Sequence, residues 1–299
     1  MKIRIGTRGS KLAVAQTEWV AEQLRKKIPG LETECVIIKT LGDRILDISL
    51  DKIGEKGVFV KELEQALLNG DVDFAVHSLK DMPSEHTPGL VFSPTPLRED
   101  PRDALVLKPE FPTLESLPQG ARIGTGSKRR RYQLLGIRPD LEVVDIRGNI
   151  QTRISKIETE NLHGIVLAAA GIHRTGLTHV ISCYMDPETF VPAPAQGALA
   201  IQHCEGNTAV IALLETVRDA YAENCIRAER SFMKHTQGGC HAPVGALANI
   251  EKDILTLSGL FGNSDGSKMV RKSLSGSVDA ADEIGRKLAE SILEDLNHG

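Results

Sequence analysis

The chain has 299 residues, with 36 basic and 40 acidic side chains and a formal net charge of −4. Its 41% hydrophobic and 25% charged content is that of a globular protein large enough for two or three domains, and it argues against a disordered chain. A generic polyanion binder is normally basic overall, and this chain is not.

In chain order, Ile3 and Ile5 mark a short strand running into Gly6-Thr7-Arg8-Gly9-Ser10. Ser10 is placed to cap a helix through about Lys27, which Pro29-Gly30 ends. Cys35–Ile38 reads as a second strand, Val58–Leu68 as an amphipathic helix and Phe74–Val76 as a third strand. Pro94, Pro96 and Pro101 then punctuate the chain, and the alternation restarts. Strands are expected at Ala104–Leu107, Arg122–Gly124, Glu142–Ile146 and Gly164–Ala168, with helices opening at Ser127 and Asn149. Pro187, Pro192 and Pro194 precede another apolar run, Ala198–Ile201. We read the two proline clusters as hinge crossings between two α/β domains, the second crossing closing the first domain's sheet. The remainder differs: a helix near Asp219–Lys234, strands Val244–Ile250 and Ile254–Phe261, and a final helix over about Asp279–Leu296. Strands followed by one helix suggest a small α+β domain.

The five cysteines, Cys35, Cys183, Cys204, Cys225 and Cys240, show no Cys-x-x-Cys spacing. They indicate neither a zinc site nor a disulfide framework, and an odd count suits a reducing compartment. Met1–Ser10 lacks a continuous apolar core and is not read as a signal peptide, and no run reaches a membrane span.

Charge is unevenly spread. Between Ala121 and Lys156 stand nine basic residues and three acidic ones. Gly124-Thr125-Gly126-Ser127 leads from a strand into a helix beginning Lys128-Arg129-Arg130-Arg131, and Arg147-Gly148-Asn149 and Thr7-Arg8-Gly9-Ser10 make similar strand-to-helix turns. Such turns expose backbone N–H groups and the positive helix end, and arginines add forked donors for carboxylate or phosphate. Neither Walker A nor Gly-x-Gly-x-x-Gly is present at Gly124, so a nucleotide is not indicated. His77-Ser78-Leu79-Lys80-Asp81 ends a strand in a polar turn, where Asp81 could move protons if it faces a cleft; on that segment alone a capped surface turn is the better reading. Gly238-Gly239-Cys240 makes Cys240 the most reachable thiol, although spacing alone favours an inert one, as it does for the other four.

Taken together, these segments resemble the hydroxymethylbilane synthase (porphobilinogen deaminase) family over nearly the whole chain. The matching segments, in order, begin with Gly6–Ser10, Lys52 with Gly57–Glu64, His77–Asp81, Arg98–Asp103 and Gly124-Thr125 with Arg129-Arg130. Ile146–Asn149 with Thr152-Arg153, Ala169–Gly171 with Arg174, Pro194–Gly197 and Gly238–Cys240 complete the set.

The resemblance implies an enzyme that joins four porphobilinogen molecules, losing ammonia each time, and releases the linear tetrapyrrole hydroxymethylbilane. It implies a dipyrromethane cofactor held by a thioether to Cys240, and Asp81 as the catalytic group. Lys80, Ser10, Thr125, Ser127, Arg129, Arg130, Arg147 and Gly148 fall at cofactor-binding positions. Arg8, Arg153, Arg174, Lys52, Lys56 and Gln196 fall at substrate-binding ones. No metal is implied. The implied fold has two α/β domains resembling type II periplasmic binding proteins, joined by hinge strands, and a small C-terminal α+β domain. The expected division is 1–96 with 198–216, then 97–197, then 217–299. A cytoplasmic monomer without nucleic-acid or membrane partners is expected.

The chemistry suits the residues. Each substrate ring carries two carboxylates, so an enzyme holding several rings needs many fixed cations. Two rivals stand beside this reading. A non-enzymatic anion-binding module would share the arginines but would need neither Cys240 nor a third domain. A nucleic-acid binder would use Lys128–Arg131, against which the net charge and the 4% aromatic content weigh.

Overall fold

The computed structural model describes residues 2–40, 60–83, 87–93, 95–237 and 242–298. The chain divides into two compact units, Met1–Arg98 with Ala198–Glu223 and Glu99–Gly197 with Asn224–Gly299. In chain order the early elements are β1 (Lys2–Arg8), α1 (Lys11–Lys27), β2 (Glu32–Ile38), α2 (Lys61–Leu68), β3 (Phe74–Ser78) and β4 (Leu90–Phe92). Then come β5 (Asp103–Leu107), β6 (Arg122–Gly124), α3 (Lys128–Ile137), β7 (Glu142–Val144), α4 (Ile150–Thr159), β8 (Gly164–Ala168), α5 (Ala169–Arg174) and β9 (Cys183–Tyr184). The chain continues with β10 (Leu199–Cys204), α6 (Thr208–Glu215), α7 (Ala220–His235), β11 (Gly245–Glu251), β12 (Ile254–Gly262), β13 (Met269–Ser277) and α8 (Ala281–His298).

The first unit is built on a five-stranded sheet in the order β2-β1-β3-β10-β4. β1 runs parallel to β2 and β3, and β10 is antiparallel to both β3 and β4. One face buries Ile3, Ile5, Phe74 and Ile201 with Val20 and Leu24 of α1. The other buries Ala75 and Leu90 with Leu63 and Leu67 of α2. α1 starts where Ser10 Oγ accepts the Ala13 N–H at 3.2 Å, satisfying an otherwise orphaned donor of the first turn.

The second unit holds a sheet of the same plan, β7-β6-β8-β5-β9. β6 is parallel to β7 and β8, and β5 is antiparallel to β8 and β9. Each antiparallel inner strand, β5 or β10, is the first strand after the chain crosses from one unit to the other. The fold class is therefore α/β, with one strand order repeated in the two five-stranded sheets. Within the second unit, β11, β12 and β13 form a separate antiparallel sheet. It packs Leu255 and Leu257 on Phe232 of α7 and on Ile284, Leu288 and Ile292 of α8.

Several elements were not among those expected from sequence: β4, β9, β13, α5 and α6. β4 and β9 are two or three residues long and exist through their neighbours. β13 has few apolar residues and pairs its outer face with β12 through hydroxyls, Thr256–Ser275 at 2.8 Å and Ser258–Ser273 at 2.9 Å. The second crossing does return a strand to the first sheet, but β10 is inserted beside β3, and β4 takes the edge. Of the four cysteines read as packing, only Cys225 is fully buried, while Cys35, Cys183 and Cys204 are half-buried. No helix among the described residues is long and apolar enough to cross a membrane.

Candidate active site

In the first unit, β1 and β3 are parallel neighbours, so their carboxyl ends share one edge of the sheet. In open α/β sheets that edge is where ligands bind. Arg8 closes β1, and Ser10 follows as the cap of α1. β3 ends at Ser78, whose hydroxyl is held to Gln16 Nε2 at 2.8 Å, and runs into a 3-10 turn over Leu79–Asp81. The Leu79 N–H donates to Ala198 O at 3.1 Å, which pins this turn to the start of β10. Asp81 is exposed and Lys80 and Arg8 half-buried, so the edge presents a carboxylate and cations to solvent. His77 is buried, and burial pushes its imidazole down to about 4, which leaves it neutral at pH 7. Lys52, Lys56 and Cys240, with the glycine pair before Cys240, lie outside the described residues.

In the second unit, β6, β7 and β8 are parallel; β6 and β7 each end in a turn that opens a helix, and β8 runs directly into α5. Thr125 follows β6; it is buried, and its hydroxyl accepts the Ser127 N–H at 3.2 Å. Ser127 caps α3 by accepting the Arg130 N–H at 3.4 Å. After β7, Arg147 and Gly148 are exposed, and Asn149 caps α4 through Thr152 N at 2.9 Å. Gly148 has φ +113°, and a β-carbon there would lie 2.6 Å from Thr152 Cγ2, so the turn requires glycine. Arg153 Nε donates to Gly148 O at 2.7 Å, which fixes its guanidinium against this turn. Thr125, Ser127, Arg147, Gly148 and Arg153 are thus gathered at the carboxyl edge of one sheet.

Arg129 and Arg130 occupy a different environment from Arg147. Both are buried, at 4% and 6% exposure, and both are paired to Asp103, which is completely buried at the start of β5. Arg129 Nη1 lies 2.7 Å from Asp103 Oδ2 and 2.8 Å from Val191 O. Arg130 donates through Nε at 3.0 Å and Nη2 at 2.7 Å to Asp103 Oδ1, and through Nη1 at 3.0 Å to Val166 O. Burial pushes the Asp103 carboxyl up, but the two guanidiniums outweigh it and hold it well below the usual carboxylate range. Two cations share one anion, so the cluster has a surplus positive charge.

Gln196 is fully buried. Its Nε2 lies 2.8 Å from Pro101 O, 3.2 Å from Arg102 O and 3.0 Å from Asp103 Oδ1. It therefore ties the second crossing to the first. Arg174, at the end of α5, donates to Gly197 O at 2.8 Å, and burial pushes its guanidinium down to about 10. Beside it, His173 Nδ1 lies 3.1 Å from Glu99 Oε1 and Nε2 lies 2.9 Å from Tyr184 Oη.

Sequence reasoning assigned no role to Asp103 or Glu229. Asp103 stood within the matched Arg98–Asp103 segment, but nothing local marks it as buried. Glu229 lies in α7, fully buried, and accepts the Ala195 N–H at 2.7 Å and the Ala248 N–H at 2.9 Å. One of two acids in an amphipathic helix gives no sign of such a role.

A family model described as the porphobilinogen deaminase dipyromethane cofactor binding domain matches residues 3–212, and one described as the porphobilinogen deaminase C-terminal domain matches residues 223–294. The porphobilinogen deaminase of Clostridioides difficile (strain 630) is 52% identical over 298 residues, covering 100% of this chain and 99% of that one. That of Clostridium novyi (strain NT) is 49% identical over 300 residues, covering 99% and 100%. Among solved structures, the methionine binding protein MetQ aligns with a TM-score of 0.43 at 14% identity, over 75% of this chain and 90% of that one. Full-length identity near one half, with both family domains matched in order, shows that the chain belongs to the porphobilinogen deaminase family.

Proposed function

We propose that Asp81 carries the proton chemistry and Cys240 the cofactor thioether in this chain's version of the family reaction. Porphobilinogen deaminase, which is hydroxymethylbilane synthase, joins four porphobilinogen molecules head to tail with loss of ammonia and belongs to tetrapyrrole biosynthesis. Its dipyrromethane, when bound, supplies the pyrrole end to which substrate units are added.

The observation that carries the residue assignment is the surplus charge at Asp103: two buried guanidiniums face one carboxylate. An uncompensated buried cation is costly, and a ligand carboxylate would complete the set. Arg129 and Arg130 are read as holding carboxylates of the dipyrromethane, with Arg147, Gly148, Thr125 and Ser127 beside them and Ser10 and Lys80 on the first unit. The Ser10 and Ser127 oxygens already accept capping bonds, which leaves each O–H as a donor. Arg8, Arg153, Arg174, Lys52, Lys56 and Gln196 are assigned to substrate. Exposed Arg147 is the most directly available cation of the group.

Asp81 stands in a solvent-facing turn beside Lys80, at the same sheet edge as Arg8. As the acid, a carboxyl group there can deliver a proton as ammonia leaves; the resulting carboxylate can offset the positive charge and then take a proton from the pyrrole. Asp81→Ala should leave a folded protein with almost no turnover, and near-normal turnover would remove Asp81 from this role. Intact mass should show a dipyrromethane on the wild-type chain and none on Cys240→Ser. A wild-type mass equal to the bare chain would contradict the assignment.

We also propose a three-part division, 1–96 with 198–216, 97–197 and 217–299; the independent core of the third sheet supports the last part. We read the protein as a cytoplasmic monomer without nucleic-acid partners; the net charge of −4 supports the last of these points. Size-exclusion chromatography with light scattering tests the oligomeric state.

A further inference from the structure

We infer that Asp103 is a positioning residue that holds the Arg129 and Arg130 guanidiniums in the geometry that receives dipyrromethane carboxylates; this rests on the reading of those arginines given above. Asp103 is fully buried at the first residue of β5, immediately after the chain enters this unit. Its side chain has no solvent-exposed surface. Its two oxygens take four donors: Arg129 Nη1, Arg130 Nε and Nη2, and Gln196 Nε2. The hydrogen bonds that the Arg129 guanidinium makes to described residues all use Nη1.

Simple charge balance does not account for this design. One buried carboxylate is neutralised by one guanidinium, and a second buried cation adds a desolvation penalty without a carboxylate of its own, since both share Asp103. The arrangement has a physical rationale if the surplus charge serves an incoming anion. Arginine side chains have many rotamers, and ordering them at the moment of binding would weaken binding. Asp103 orders both forks beforehand, and the backbone acceptors Val191 O and Val166 O complete their orientation. Gln196 extends the same carboxylate to Pro101 O and Arg102 O, so the forks are registered to both crossing segments.

The test compares wild type, Asp103→Asn and Asp103→Glu. Circular dichroism and thermal melting establish folding, and intact mass together with an acidic-aldehyde colour reaction for pyrroles reads the fraction carrying dipyrromethane. Asp103→Asn removes the charge and turns a donor toward one arginine. Asp103→Glu keeps the charge and displaces it by one methylene, so it rescues a role in charge balance and fails to rescue one in positioning. The loaded fraction is expected to fall at least about tenfold in both, the scale of one lost charge-assisted hydrogen bond. Wild-type loading in either folded variant overturns the inference. Should neither fold, Gln196→Met decides: a severalfold drop in loading with the melting curve and the KM for porphobilinogen retained supports positioning, and wild-type loading, or a drop accompanied by a raised KM, overturns it. A wild-type protein lacking the dipyrromethane mass would overturn the cofactor assignment itself, and this inference with it.

Discussion

Gly197 faces the backbone carbonyl of Glu99 with no space for a β-carbon between them, and its φ is +88°. The Glu99 N–H donates to Gly197 O at 3.2 Å, and Arg174 Nη2 donates to the same oxygen at 2.8 Å. The two crossing segments therefore meet backbone to backbone, where only glycine fits. Gly197→Ala should cost at least about 2 kcal/mol, from the left-handed backbone and the clash with a carbonyl that cannot move aside. Denaturant unfolding at pH 7 measures it, and a change within the error of the wild-type midpoint would refute the packing argument.

His77 sets a pH dependence of definite sign. In the unfolded chain the imidazole takes up a proton near pH 6.5; in the folded chain burial delays this to about pH 4. Between those values the unfolded state binds more protons, so the neutral buried ring destabilises the fold progressively as pH falls from 6.5 toward 4. Unfolding free energy should drop by about 2 kcal/mol between pH 7 and pH 5 on account of this group. His77→Gln should flatten that slope whatever its effect at pH 7. An equally steep slope in the variant would assign the dependence to other groups.

The arginines of the second unit should separate into two classes. Arg129 is buried on Asp103 and Val191, so Arg129→Ala should cost about 2–3 kcal/mol of stability through the lost charge-assisted bonds. Arg147 is exposed, and Arg147→Ala should lower activity with no change in melting temperature. Thermal melts paired with turnover assays check both. Equal destabilisation by the two substitutions would contradict the burial difference.

Glu229 joins a turn to a strand through two backbone donors, and Ala195 in that turn has φ +59°, unusual for a residue with a β-carbon. Glu229→Gln keeps the shape but points an amide donor at one of two N–H groups. A loss of about 1–3 kcal/mol is expected, read as a lowered melting temperature. Wild-type stability would mean that the turn holds without the carboxylate.

Much of the fold is legible in local chemistry. Ser10, Ser127 and Asn149 occupy the cap positions that their side chains suggest, because a short oxygen-bearing residue before an amphipathic run satisfies the first orphaned N–H groups. The alternation of apolar runs and helical periodicity marks β1, β3, β5, β6 and β8, and in the last four the buried residues are consecutive in sequence. The turns bearing Arg8, Thr125 and Arg147 stand out because glycines and cations cluster at strand ends. β4 and β9 have no such signal, since strands of two or three residues are held by their neighbours' backbone donors.

What the sequence determined by itself was thus the order of elements, their caps and the edge of each sheet where anion-binding residues collect. Tertiary structure alone decided which arginines are exposed and which are spent partly on the protein. Arg129, Arg130 and Arg147 look alike in a string of cations, yet Asp103 lies 26 and 27 residues from the first two and meets them only because β5 enters the sheet antiparallel to β8. Burial and pairing of charge depend on which distant segments are packed together, and no local pattern encodes that proximity.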